Sequence, residues 1–171
     1  MSEVVLTIGT FDRLHVGHLE LLEACRKLGV PQATVVVGLN RDAFVERYKG
    51  RPVAQSYEVR AEMLRACRFV DAVIENFGDE DSKPLIEAVR PTRLAIGSDW
   101  LDEELGSAAE DRYFAQLGVT HGWMDARGLR VSYVRRTRGV STTAIRQAEL
   151  VLVGEAGPEI FVPTRSGEVV R

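Results

Sequence analysis

The stretch Val5-Leu6-Thr7-Ile8-Gly9-Thr10-Phe11-Asp12-Arg13-Leu14-His15-Val16-Gly17-His18 decides how this chain folds. A short apolar run ends in Gly9-Thr10, and two histidines then flank Gly17 just ahead of an amphipathic segment. That order predicts a strand, a tight turn and a helix N-terminus in succession. The first turn of a helix carries backbone N–H groups without intrahelical partners and a partial positive charge, so anions settle there. The imidazoles of His15 and His18 add donors at the same turn. The combination is suited to the phosphates of a nucleoside triphosphate.

Outward from this turn, the apolar runs Val4–Ile8, Ala33–Leu39, Ala72–Ile74, Leu94–Ile96 and Leu129–Val134 predict strands. Helical stripes alternate with them. Leu19, Leu22, Cys25 and Leu28 form one, with Glu23 and Lys27 paired on its wet face. Val59, Met63, Cys67 and Val70 form a second. Ser82, Leu85, Ile86 and Val89 form a third, with Pro84 in its first turn and Pro91 ending it. A fourth runs from Thr142 to Val153 behind Ser141, a good N-cap. Strands alternating with helices predict a Rossmann-like α/β single domain, a mostly parallel sheet flanked by helices, over residues 1–153. Ligands of such sheets bind at the carboxyl ends of the strands. Gly9-Thr10, Gly38-Leu39 and Gly97-Ser98 fall at such ends and are expected to converge on one crevice. Residues 154–171, opening Gly154-Glu155-Ala156-Gly157-Pro158-Glu159, read as a tail or small hairpin.

Bulk properties exclude several roles. A chain of 171 residues with 45% hydrophobic content can bury one core. Its net charge of −3 offers no general attraction for nucleic acid. No run reaches the ~18 apolar residues of a membrane span, and the start has no signal-peptide pattern. A cytoplasmic location is the expectation. Cys25 and Cys67 sit within helical patterns without CxxC spacing, and read as small hydrophobes in a reducing compartment. His15 and His18 lack a third partner at zinc-ligand spacing, so no protein-held metal is expected. Asp12 reads as a carboxylate that steadies the turn.

Further motifs complete a site. Arg136-Thr137-Arg138-Gly139-Val140-Ser141-Thr142-Thr143-Ala144-Ile145 places a glycine and three hydroxyl residues at a helix start, with a guanidinium fork beside them. The span Tyr48 to Gln55 contains Lys49-Gly50-Arg51-Pro52 and reads as a basic lid over phosphates. Arg60 and Arg68, eight residues apart, fall about 80° apart around a helix and are expected on one side of it. Gly97-Ser98-Asp99-Trp100 follows the fourth strand, with Trp100 expected to pack.

These motifs resemble the HxGH nucleotidyltransferase superfamily, and in particular its cytidylyltransferase-like members of the glycerol-3-phosphate cytidylyltransferase group, from Val5 to about Gln147. The carriers are Gly9-Thr10-Phe11-Asp12, His15-Val16-Gly17-His18, Gly97-Ser98-Asp99-Trp100 and Arg136 to Thr143, the last similar to RTxGISTT with Val140 and Arg138 as departures. The resemblance implies attack of a substrate phosphate on the α-phosphorus of a nucleotide, with release of pyrophosphate. It implies His15, His18, Lys49 and Arg136 as catalytic residues. Gly9, Thr10, Phe11, Gly17, Asp99, Thr137, Ser141 and Thr142 would hold the nucleotide, and Arg60 and Arg68 the substrate. It further implies Mg²⁺ bridging phosphate oxygens, CTP as donor, a small phosphorylated acceptor such as glycerol 3-phosphate or a related polyol or sugar phosphate, and a homodimer. ATP stays open as donor, because sugar-phosphate adenylyltransferases share HxGH, the basic loop and the Ser-Thr-Thr end. The segment Leu101 to Tyr133 is longer than in glycerol-3-phosphate enzymes and is expected to shape the acceptor site or an oligomer contact. The tail also resembles a VGExGPE…VP element of phage tail tape-measure proteins, which leaves open a phage-encoded binding or structural protein that kept the fold without the activity.

Overall fold

The computed structural model describes residues 3–29, 31–97 and 113–134, all within one compact unit spanning Met1–Thr137. Five strands form where the apolar runs predict them: β1 (Val4–Gly9), β2 (Thr34–Asn40), β3 (Ala72–Asn76), β4 (Arg93–Gly97) and β5 (Arg130–Val134). They lie in the order β3-β2-β1-β4-β5, and every neighbouring pair is parallel. Parallel neighbours require crossovers over the faces of the sheet. Four such elements are α1 (Val16–Lys27), α2 (Asp42–Lys49), α3 (Tyr57–Arg65) and α4 (Lys83–Val89), with α5 (His121–Asp125) preceding β5.

Alternate strand residues feed two cores. On one face, Val5, Val35, Val37, Leu39 and Ala95 meet Leu22 and Cys25 of α1 and Ala61 and Leu64 of α3. On the other, Leu6, Val36, Leu94 and Ile96 meet Leu85 and Ile86 of α4, Met124 of α5, and Phe114 and Leu117. Burial on both faces explains why the strands read as unbroken apolar runs instead of alternating ones. Cys25 lies in the first core as a free thiol, pushed up to about 12 by burial, and acts as a small apolar side chain there. Gly38 lets α4 approach β2: a Cβ at that position would stand 2.6 Å from Leu85 Cδ2.

Several local expectations need correction. The buried face of α3 is Arg60, Ala61 and Leu64, whereas Val59 and Met63 are 45% and 36% exposed. An apolar stripe was expected to face inward, but a charge-paired arginine takes that position. The helix also ends at Arg65, so Arg68 is not on it and shares no helix side with Arg60. Tyr48 and Lys49 belong to α2, which leaves residues 50–56 as the loop. Within Leu101 to Tyr133 the described part contains a helical turn at residues 113–116, α5, and most of β5. The expected helix from Thr142 to Val153, the tail and the boundary between residues 153 and 154 lie outside the described residues.

Candidate active site

The strand order places the topological switch point between β1 and β4. The ladders from β1 to β2 and from β4 to β5 run to Gly9 and Gly97, but β1 and β4 pair only through Val5–Arg93 and Leu6–Leu94. The two central strands therefore stop hydrogen-bonding toward their carboxyl ends. The turn that follows β1 and enters α1 begins at this end of the strands.

That turn is strained and held from below. Phe11 and Arg13 adopt left-handed φ values of 49° and 54°, which side chains other than glycine rarely take. Asp12 between them is 5% exposed and accepts the N–H groups of Ala54 and Gln55 at 3.1 Å each. The Arg13 N–H donates to Gln55 Oε1 at 3.0 Å. Loop 50–56 is thus pinned to the histidine turn at one end, and the expected lid is narrowed to its exposed tip at Gly50–Pro52. The buried Phe11 ring needs Gly9: a Cβ there would meet its Cε2 at 3.0 Å.

His15 caps α1 in an extended conformation, φ −136° and ψ 172°. Its carbonyl accepts from the N–H groups of His18 at 2.9 Å and Leu19 at 3.1 Å. Its own N–H donates to His18 Nδ1 at 3.4 Å. The two imidazoles stack with centroids 3.8 Å apart and planes 19° apart, and the Phe11 ring lies 5.1 Å from that of His18. Because Nδ1 of His18 is an acceptor, its neutral tautomer carries the proton on Nε2. The first turn of α1 contains no acidic side chain to offset the partial positive charge of the helix end, and Gly17 within it adds no side-chain bulk.

Arg60 lies beneath the turn, 1% exposed. Its Nε donates to the Gln55 carbonyl at 3.0 Å, Nη1 to the Thr10 carbonyl, and Nη2 to the Asn40 carbonyl at 2.9 Å and to Asp42 Oδ1. Lys49 ends α2 on the exposed side, followed by Gly50 in the left-handed conformation at φ 63°. Arg68 is placed elsewhere. It is exposed, stacks on the Phe69 ring at 4.7 Å, and acts electrostatically on Glu23 of α1. The segment that carries it leads into the amino end of β3, where the Asp71 N–H donates to the Val35 carbonyl. In a parallel sheet that is the end opposite the crevice.

The described structure therefore brings together Gly9, Thr10, Phe11, His15, Gly17, His18 and, beneath them, Arg60. It does not bring Arg68 to the same end. Asp99, Arg136, Thr137, Ser141 and Thr142 lie outside the described residues. Sequence reasoning missed Asn40, Asp42 and Gln55, which hold Arg60 and the turn in place. Polar residues directly behind the apolar run of β2 were the available signal. Among the described residues no three His, Cys, Asp or Glu side chains gather as metal ligands, and no helix is long and apolar enough to cross a membrane.

The cytidylyltransferase-like family matches residues 6–148 of the chain. The chain belongs to this family. Among curated relatives, the bifunctional protein HldE of Magnetococcus marinus is 38% identical over 148 residues, covering 85% of this chain and 27% of that protein. The FAD synthase of Pyrococcus abyssi is 40% identical over 95 residues, 56% of this chain and 62% of that one. The chain spans about a quarter of the length of the HldE proteins it matches. Among solved structures, a lipopolysaccharide core biosynthesis protein from Thermoplasma volcanium aligns with a TM-score of 0.55 at 25% identity, over 80% of this chain and 98% of that one. The family membership and the Rossmann-like sheet expected from the motifs are thereby shown.

Proposed function

We propose that this domain transfers a nucleotidyl group from a nucleoside triphosphate to a small phosphorylated acceptor. The observation that carries the proposal is the stacked pair His15 and His18 on the first turn of α1, at the carboxyl end of β1 beside the switch point. An oxygen of the acceptor phosphate attacks the α-phosphorus in line, the bond from that phosphorus to the bridging oxygen breaks, and pyrophosphate leaves. The attacking phosphate is already ionised near neutral pH, so the site needs no strong base. It must instead hold two anions close together and stabilise the charge that builds on the phosphorus.

In this reading, His15 and His18 donate to the α- and β-phosphates at the positive end of α1. Gly9, Thr10, Phe11 and Gly17 shape the wall against which the nucleotide lies, and Lys49 adds a cation from the end of α2. Arg136, Thr137, Ser141 and Thr142 hold the β- and γ-phosphates, and Asp99 contacts the nucleoside. Mg²⁺ would accompany the triphosphate and offset the charge of its phosphates. A homodimer is part of the proposal by family resemblance.

Two donors are in play. CTP is supported by the resemblance of the motifs to glycerol-3-phosphate cytidylyltransferase. ATP is supported by the relation to a FAD synthase, since FAD contains an adenylate unit. The acceptor class is a polyol or sugar phosphate. The test is pyrophosphate release with Mg²⁺, comparing ATP and CTP across a panel of such phosphates that includes glycerol 3-phosphate. Release with one donor and one acceptor establishes both. A folded protein that neither releases pyrophosphate nor shifts its melting temperature with either nucleotide overturns the proposal in favour of a non-catalytic domain.

A further inference from the structure

We propose that Arg60 is a positioning residue that fixes where β1 leaves the sheet, and so aims the histidine turn, and that it does not touch the acceptor. The kinetic part of this inference rests on the nucleotidyl-transfer reading; the structural part does not.

The ladder between β1 and β2 ends at the pair Gly9 and Leu39. The next carbonyls on the two strands are those of Thr10 and Asn40, and both accept from the guanidinium of Arg60. Arg60 thus continues the ladder one step past its last pair, using a planar fork to clamp two strand ends that no longer bond each other. Its Nε holds the Gln55 carbonyl at 3.0 Å, in the loop whose Ala54 and Gln55 N–H groups bind Asp12. Three segments around the turn therefore share one cation.

A buried guanidinium needs a counter-charge and full hydrogen bonding to be tolerated. Asp42 supplies the charge through Oδ1, with the arginine side chain at 0% exposure. The other oxygen of Asp42 accepts the Tyr57 N–H at 3.0 Å and so caps the start of α3, where Ser56 makes no side-chain cap. Four hydrogen bonds of the fork go to protein groups and its side chain is buried, which sets it apart from an exposed arginine that meets a substrate phosphate. The left-handed Phe11 and Arg13 follow directly on the clamped Thr10. A strained turn keeps such a shape only when its surroundings over-determine it.

Arg60→Lys tests the inference, because an ammonium offers donors from one point and cannot span the separated acceptors. Amide hydrogen exchange and steady-state kinetics are measured on the full chain. The expected result is at least tenfold faster exchange at Ala54 and Gln55 with Val35 and Val37 unchanged. Turnover falls at least tenfold while the KM for the acceptor stays within twofold, and guanidinium ion partly restores turnover to Arg60→Ala. Unchanged exchange at Ala54 and Gln55 overturns the inference, as does a raised acceptor KM at constant turnover, which marks a substrate contact. If the wild-type chain transfers no nucleotidyl group, the exchange comparison decides the inference by itself. If Arg60→Lys does not fold, Asp42→Asn, which keeps shape and removes the counter-charge, carries the same exchange test with the same two outcomes.

Discussion

The backbone N–H of His15 donates to Nδ1 of His18 at 3.4 Å while the two imidazoles lie stacked at 3.8 Å. One ring nitrogen of His18 is therefore committed to closing the first turn of α1, and the other carries the proton. The spacing of two residues between the histidines is what makes this possible, because it places them at the N-cap and at the third helical position. A helix start that usually depends on a Ser, Thr, Asp or Asn cap is here organised by imidazoles.

Replacing His18 separates these two jobs. Asparagine can present an acceptor near the place of Nδ1 but has nothing where Nε2 stands. His18→Asn is expected to melt within a few degrees of wild type and to lose about 10²–10³ in turnover, or roughly 2.7–4 kcal/mol of transition-state stabilisation. His18→Ala is expected to lose both the activity and some of the helix start. Circular dichroism melts and pyrophosphate release check the pair; near wild-type turnover in either variant would remove His18 from the chemistry.

Two glycines give a contrast in where added bulk is felt. In Gly9→Ala the new methyl meets the Phe11 ring at 3.0 Å, and that ring adjoins His18, so turnover is expected to fall more than stability. In Gly38→Ala the methyl meets Leu85 Cδ2 at 2.6 Å and Ile8 Cγ1 at 3.0 Å inside the opposite core. That change is expected to cost about 1–3 kcal/mol of stability with turnover nearly unchanged at a temperature where the protein stays folded. Urea melts and initial rates on both variants are the measurements, and equal effects on both readouts in both variants would break the distinction.

The orientation of α3 is open to a direct check. Val59→Lys and Met63→Lys lie on the exposed face and are expected to change stability by less than about 0.5 kcal/mol. Leu64→Ala, on the buried face, is expected to cost about 2–5 kcal/mol. Equilibrium denaturation of the three variants measures this, and a large loss from Met63→Lys would return the helix to the apolar-stripe orientation.

Acid should loosen the outer end of the sheet beside β3. Burial works to raise the pKa of Asp79, but hydrogen bonds from Arg47 and Arg41 outweigh it and hold the carboxyl below its ordinary value of 3.8. The unfolded chain then binds this proton more readily than the folded one. The stabilisation is complete above the ordinary value and disappears as pH falls through the lower folded one. Asp79→Asn, which also tolerates the left-handed φ of 52°, is expected to lose less stability than wild type between pH 4 and more acidic conditions. Denaturant melts at stepped pH values supply the comparison, and identical slopes would exclude Asp79 from the acid response.

Much of this molecule was legible in the chain itself. The five apolar runs gave the strands, their alternation with helical stripes gave a parallel sheet, and Gly9 through His18 gave the strand, turn and helix start of the candidate site. These features depend on neighbours in sequence: periodicity, turn chemistry and the spacing of two histidines. Asp12 as a turn-steadying carboxylate was readable for the same reason, since a short acid in a tight turn finds backbone donors close at hand. The tertiary structure alone decided which face of α3 is buried, where that helix stops, and what Arg60 and Arg68 do. Two arginines on a predicted helix look alike in a sequence. One has Thr10, Gln55 and the pair Asn40 and Asp42 delivered to it by three separate segments and is buried as a clamp, while the other emerges at the amino end of β3 beside Phe69. The cost of burying a guanidinium is met only by acceptors that the folded chain assembles from distant positions, and no local pattern encodes them.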